Sequence, residues 1–151
     1  MTSYKVVHDT IVLERRFAAS PARVFNAWSD PVARDRWDVP GDDWVVAESQ
    51  HDFQVGGREY SYFGPPGAPR YRGDGTYLRI VPDSLIVMAG TMSADRIPMT
   101  ASLSTVEFVA DGTATLMRYT EQSAFMGDET AAMRIEGWTE IFDRLAKELK
   151  A

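Results

Sequence analysis

The chain contains no cysteine, which excludes disulfide staples, thiolate metal sites and a cysteine nucleophile. Histidine is nearly as scarce, with only His8 and His51 present. A metal site built from imidazole and carboxylate needs such ligands to converge with open coordination positions. His8 lies in the N-terminal lead-in and His51 beside a turn at His51–Asp52, so both read as solvated surface residues. Neither a metal nor a cofactor is expected. Positive charge is the minority sign, with 16 Lys and Arg against 22 Asp and Glu and a net charge of −6. A nucleic-acid binder or a protein docking on an anionic membrane shows the opposite balance. No apolar run approaches the roughly 20 residues of a membrane span. The opening MTSYKVVHDT lacks the uninterrupted apolar core of a signal peptide. The expectation is a cytoplasmic protein without membrane insertion.

Other absences narrow the chemistry. There is no GxSxG nucleophile elbow. No glycine-rich loop opens a helix in phosphate-cradling form, since the glycines at 57, 73 and 75 sit in strand-like sequence and read as turns or bulges. No repeat, low-complexity segment or linker divides the chain, and the short Gly64–Ala68 stretch reads as a loop. With 151 residues, 44% of them hydrophobic, the sequence fits a single domain spanning 1–151 with a real core.

The elements follow in a simple order. Residues 5–17 carry β-branched residues with Ile11 and Leu13 alternating, and the second half reads as a strand. Ser20–Pro21 and Asp30–Pro31 each place a capping side chain before a proline suited to the first helical position, which predicts two short helices in succession. Strands are predicted at 44–49, 53–63 (with Gly56–Gly57 at a turn or bulge), 71–81, 85–92, 99–109 and 113–122. The stretch 85–92 is apolar on both parities, as at a sheet centre or under cover on both faces. Asp111–Gly112 is the strongest hairpin signal in the chain. From Asp128, a candidate N-cap, to about Leu149 no proline occurs. Ala131, Ile135, Trp138, Phe142, Leu145 and Leu149 share one helical face. Seven strands or so with one long helix is an α+β layout, in which the helix must cover one face of the sheet.

The stretch IVLERRFAASPARVFNAWSDPVARDRW, the phrase FQVGGREY, the run STVEFVADGTATLMRYTEQSAFMGD and the ending EGWTEIFDRLAKEL resemble the SRPBCC (START-like) superfamily. The subgroup they resemble most is that of the C-terminal domain of the heat-shock-protein-90 ATPase activator. The likeness runs from about residue 8 to 149 and rests on the order and spacing of these segments. It implies a helix-grip fold: a curved antiparallel sheet of six to seven strands around a long C-terminal helix, two short helices after the first strand, and a cavity between sheet and helix. It implies cytoplasmic bacterial relatives. The superfamily includes lipid carriers, receptors, cyclases and co-chaperone domains, so fold alone does not assign the function.

The candidate site is therefore the space between sheet and last helix. On strand 113–122 the parity that turns Thr115, Met117, Tyr119 and Glu121 inward is preferred over its opposite, because it keeps Arg118 in water. Ser102, Ser104, Val106 and Phe108 share a face of the preceding strand. Turned inward, the small hydroxyl side chains of the serines suit a pocket lining, whereas the opposite parity sends the serines to solvent and Leu103 inward. An inward Glu121 is a candidate acid/base or ligand anchor; paired with Arg118 or Arg134, it is a rim carboxylate instead. Trp28 and Trp138 occupy apolar helix faces, while Trp37 and Trp44 flank DVPGDD, a candidate lid. Gly137 beside Trp138 suggests close approach of sheet or ligand to the helix. The many methionines suit either gap-filling or a soft pocket. The expected lining comprises Trp28, Trp44, Ser102, Ser104, Met117, Tyr119, Glu121, Ile135, Trp138 and Phe142. The expected function is binding of a small hydrophobic or amphipathic molecule. The alternatives are a cyclase/aromatase- or hydrolase-like enzyme using Glu121 or Tyr119, and an interaction module regulating a chaperone ATPase. Homodimerisation is compatible with the sequence and not decided by it.

Overall fold

The computed structural model describes residues 5–150; the start of the segment read for a signal peptide, 1–4, and residue 151 lie outside it. Strand β1 (Val7–Phe17) is extended over its whole length, not only in its second half. Its first residues are exposed but hydrogen-bonded along the ladder to β7. Helices α1 (Pro21–Ser29) and α2 (Pro31–Trp37) begin as the caps predict. Ser20 Oγ accepts from the Arg23 amide and Asp30 Oδ1 from the Val32 amide, with a proline at each start.

Six further strands follow: β2 (Val45–His51), β3 (Arg58–Gly64), β4 (Tyr71–Val81), β5 (Leu85–Ala94), β6 (Ile97–Asp111) and β7 (Ala114–Phe125). They form one antiparallel sheet in the order β1-β7-β6-β5-β4-β3-β2. β2 to β7 make a simple meander, and β1 closes the far edge against β7. The predicted strand over 53–63 is shorter than expected. Residues 52–57 fold back in a turn, with the Gln54 amide on Asp52 O and the Gly57 amide on Gln54 O. Gly56 sits at φ +82°, and a Cβ on Gly57 would lie 2.1 Å from Asp52 O. β5 takes the central place that its two-sided apolarity suggested, yet only Ile86 in it is fully buried. The hairpin signal at Asp111–Gly112 is a real turn: Asp111 pairs with Ala114, and Gly112 at φ +62° occupies the first of the two loop positions.

The ladder register skips Ala47 in β2, Leu78 in β4 and Met99 in β6. Each skipped residue is a bulge that bends its strand and adds twist, so the sheet curls. Into its concave face packs α3 (Ala131–Leu149). The core between them includes Phe17, Val24, Trp28, Trp37, Ile86, Val106, Phe108, Met117, Phe142 and Leu145. Two details of α3 differ from the sequence reading. Its N-cap is Thr130, whose Oγ1 accepts from the Met133 amide, not Asp128. Its inward face runs through Arg134, Trp138, Ile141, Leu145 and Leu149, so Ile135 turns outward and is 38% exposed. Arg134 and Ile135 are adjacent, and the helix places the residue with buried ionic partners inward.

Candidate functional site

The register of the sheet explains why space remains under α3. Inward-facing residues line up in rows across the strands. One row runs Glu59, Gly75, Gly90, Ser102, Ser123. The next runs Ser61, Gly73, Met92, Thr100, Phe125. The first row holds two glycines and two serines, so the concave face is hollowed along it. Gly90 has its own reason to be glycine, because a Cβ there would meet Asp74 O at 2.2 Å. Above the hollow lies Gly137 of α3, where an added Cβ would meet nothing within 4 Å. The glycine therefore marks open room over the helix, and no strand approaches it closely. The resulting recess has a volume of about 670 Å³.

Two buried polar clusters wall this recess. The first centres on Glu121, 2% exposed. Its Oε1 accepts from Tyr119 Oη (2.7 Å) and Trp138 Nε1 (3.1 Å). Its Oε2 accepts from Ser123 Oγ (2.7 Å) and Arg134 Nη1 (3.1 Å). Ser102 adjoins Ser123 at 2.6 Å and Ser104 adjoins Tyr119 at 3.2 Å. Arg134 also donates to both oxygens of Glu129 and to Thr100 Oγ1. Burial first, and then the neighbouring carboxylate of Glu121, hold the Tyr119 phenol well above its ordinary pKa. Burial works against the charge of Arg134, but Glu129 and Glu121 outweigh it and raise its pKa.

The second cluster centres on Glu59 at the other side. Arg34 Nη2 donates to Glu59 Oε1 (3.3 Å), and Arg34 forks onto Asp38 through Nε and Nη2. Tyr77 Oη and His51 Nδ1 both meet Glu59 Oε2, the latter at 2.8 Å. His51 Nε2 meets Asp35 Oδ1 (3.1 Å), which Ser49 Oγ also supports through Oδ2 (2.6 Å). Burial pushes the Glu59 carboxyl up, but Arg34, His51 and Tyr77 pull it down further, to about 2. Burial likewise opposes protonation of His51. Hydrogen bonds to Glu59 and Asp35 overcome it and raise the imidazole pKa against the repulsion of Arg34. The His51 side chain is only 6% exposed, so the solvated surface residue expected from the sequence is a buried wall residue. The sequence reading missed this cluster. The available signal was the period-two spacing of Glu59, Ser61 and Phe63 on one strand face.

The ten residues expected to line the space divide three ways. Trp28, Trp44, Ser102, Ser104, Tyr119, Glu121 and Trp138 border the recess. Met117 and Phe142 lie in the packed core beside it. Ile135 points away, as described. Five methionines, Met88, Met92, Met99, Met126 and Met133, also border it. Trp44 stacks on Tyr71 with ring centroids 5.3 Å apart, and Phe63 joins them. Trp37 is not part of a lid: it is buried, with Nε1 on Ala27 O. The loop after it is tied to α3, with Arg144 donating to Val39 O and Gly41 O and the Gly41 amide donating to Glu140. Among the described residues, two buried side-chain atoms lack a hydrogen-bond partner, Trp28 Nε1 and Ser61 Oγ, and both belong to residues bordering the recess. No helix among them is long and apolar enough to cross a membrane.

Known proteins share this architecture. The solved structure of the Mll3558 protein from Rhizobium loti matches with a TM-score of 0.86 at 42% identity, covering 96% of this chain and 99% of that one. An uncharacterised protein from Rhizobium leguminosarum matches with a TM-score of 0.89 at 34% identity, covering 99% of each chain. An AHSA1-like protein from Aeromonas hydrophila, 22% identical over 94% of this chain and 92% of its own, shares the fold with a TM-score of 0.76. No curated protein matches the chain. The model of the family described as "Activator of Hsp90 ATPase homolog 1-like protein" matches residues 18–150, and the chain belongs to that family, on a helix-grip fold.

Proposed function

We propose that this protein binds a small hydrophobic or amphipathic molecule in the recess between the sheet and the C-terminal helix. The observation that carries this reading is the recess itself. Its volume of about 670 Å³ falls within the roughly 300–1,000 Å³ common for small-molecule sites. Methionine and aromatic side chains border it beside a few buried polar groups, the usual composition of such sites. Gly137 supports the reading from the helix side, since it forgoes about 1 kcal/mol of helix propensity and leaves room above the sheet.

The enzymatic alternative finds less support. A general base needs a lone pair free to take a proton from the substrate. Both oxygens of Glu121 are already occupied by two donors each.

Titration with the neutral apolar dye Nile red tests the proposal. The wild-type chain is expected to bind it with quenching of tryptophan fluorescence. Gly137→Leu, which fills the recess from the helix, is expected to abolish binding while the circular dichroism spectrum and thermal transition stay intact. Equal binding by both proteins would place the dye elsewhere and overturn the assignment.

A further inference from the structure

We infer that the molecule held here is a cationic amphiphile, an ammonium head on an apolar body. This deepens the preceding reading and rests on it. Seven carboxylate side chains border the recess against three arginines. Asp74, the eighth carboxylate residue beside it, has the opposite strand parity from Gly73 and Gly75 and pairs with Arg72. That is a balance of −4 with His51 neutral, in a chain whose whole net charge is −6. Most of the chain's excess negative charge borders one hollow. The three arginines are also committed: Arg34 to Asp38 and Glu59, Arg134 to Glu121 and Glu129, Arg70 to Asp95. A carboxylate or phosphate head would find no unpaired guanidinium and would sit in a field of its own sign. In a partly desolvated hollow that repulsion is stronger than in bulk water.

The seat for the head can be named. On β3, Glu59, Ser61 and Phe63 alternate onto the inner face. Ser61 Oγ is a buried hydroxyl with no partner in the protein, and it can accept from an ammonium N–H. Opposite it in register is Gly73, where an added Cβ would touch only Met92 Cε at 3.8 Å. On one side of this gap stands the Glu59 carboxylate, and on the other the rings of Phe63, Tyr71 and Trp44. Ring faces attract cations, and Arg70 already sits 5.3 Å over the Tyr71 ring. From Ser61 and Gly73 the apolar body runs across β5 and β6 toward Met99, Met126 and the open space at Gly137.

Three probes sharing one decyl chain test the inference on the full chain by isothermal titration, below micelle formation: decylammonium, decanol and decanoate. Decylammonium is expected to bind at least ten times more tightly than decanoate, with decanol between them, and added salt is expected to narrow the gap. Asp35 borders the recess and meets His51, which in turn meets Glu59 of the seat. Asp35→Asn and Ser61→Ala are each expected to weaken decylammonium several-fold relative to decanol. Glu136→Gln, on the exposed face of α3, removes the same charge far from the seat and is expected to leave the order unchanged. If decanol binds but decanoate equals or exceeds decylammonium, the charge inference falls and the recess reading stands. If Glu136→Gln closes the gap as much as Asp35→Asn does, the preference belongs to net charge and the named seat is wrong. If none of the three probes binds, the recess reading falls and takes the inference with it.

Discussion

The two polar clusters border the same recess, yet they are built to different ends. Glu121 is held by four donors, one for each lone-pair direction, and its cation comes from the helix. It ties β7 to α3 across the core. Glu59 shares its charge with Arg34 of α2 and takes a further bond from an imidazole. It ties α2 to the outer strands and holds an imidazole whose pKa is raised by its carboxylate partners. A saturated carboxylate makes a strut, whereas a carboxylate that shares its partners with histidine makes a wall whose charge follows pH. The difference lies in the neighbours and not in the carboxyl group.

The largest expected effect breaks the strut. Arg134→Met leaves Glu121 buried with its cation gone, and a stranded buried charge costs about 3–5 kcal/mol. Urea unfolding should show that loss; a loss below about 1 kcal/mol would mean that Tyr119, Ser123 and Trp138 hold the charge without help. Next comes the acid limb of the other cluster. Glu59 titrates near 2 in the folded chain, against an ordinary value of 4.5. Its contribution is therefore present above about pH 4.5 and is lost as pH falls toward 2. The amount is on the order of 3 kcal/mol, and Glu59→Gln should flatten stability measured across that interval. The neutral limb runs the other way and is shallower. The raised pKa of His51 gives stability present below about pH 6.5 and lost as pH rises through the folded value. His51→Asn should remove that slope and leave the acid limb in place. The smallest effect falls between the clusters. Gly137→Ala should raise stability by about 0.5–1 kcal/mol, because its Cβ meets open space. Destabilisation on thermal melting would mean that the sheet closes on the helix there.

Much of the fold is legible in the sequence. Ser20–Pro21 and Asp30–Pro31 mark helix starts because the capping bond and the missing proline N–H act within a few residues. The inward parity of β7 followed from keeping Arg118 in water, and Met117, Tyr119 and Glu121 are buried as that argument requires. Errors came where a local pattern was too coarse. The apolar stripe of the last helix could be drawn through Ile135 or one position earlier through Arg134, and only the buried partners of Arg134 choose between them. His51 looked like a surface residue beside a turn. Its environment comes from Asp35, 16 positions away on α2, and from Glu59 on the neighbouring strand, and no local pattern carries either contact.

By itself the sequence determined the order of elements, the two caps, the closing hairpin and the amphipathic last helix, because each depends on propensities and spacings within a few residues. The tertiary structure alone decided where the hollow lies and what surrounds it. That outcome depends on register, which sets Gly75 beside Gly90 and Ser61 opposite Gly73, and on the bulges that curl the sheet. Register is a relation between strands, and a one-residue slip would send every one of those side chains to the other face.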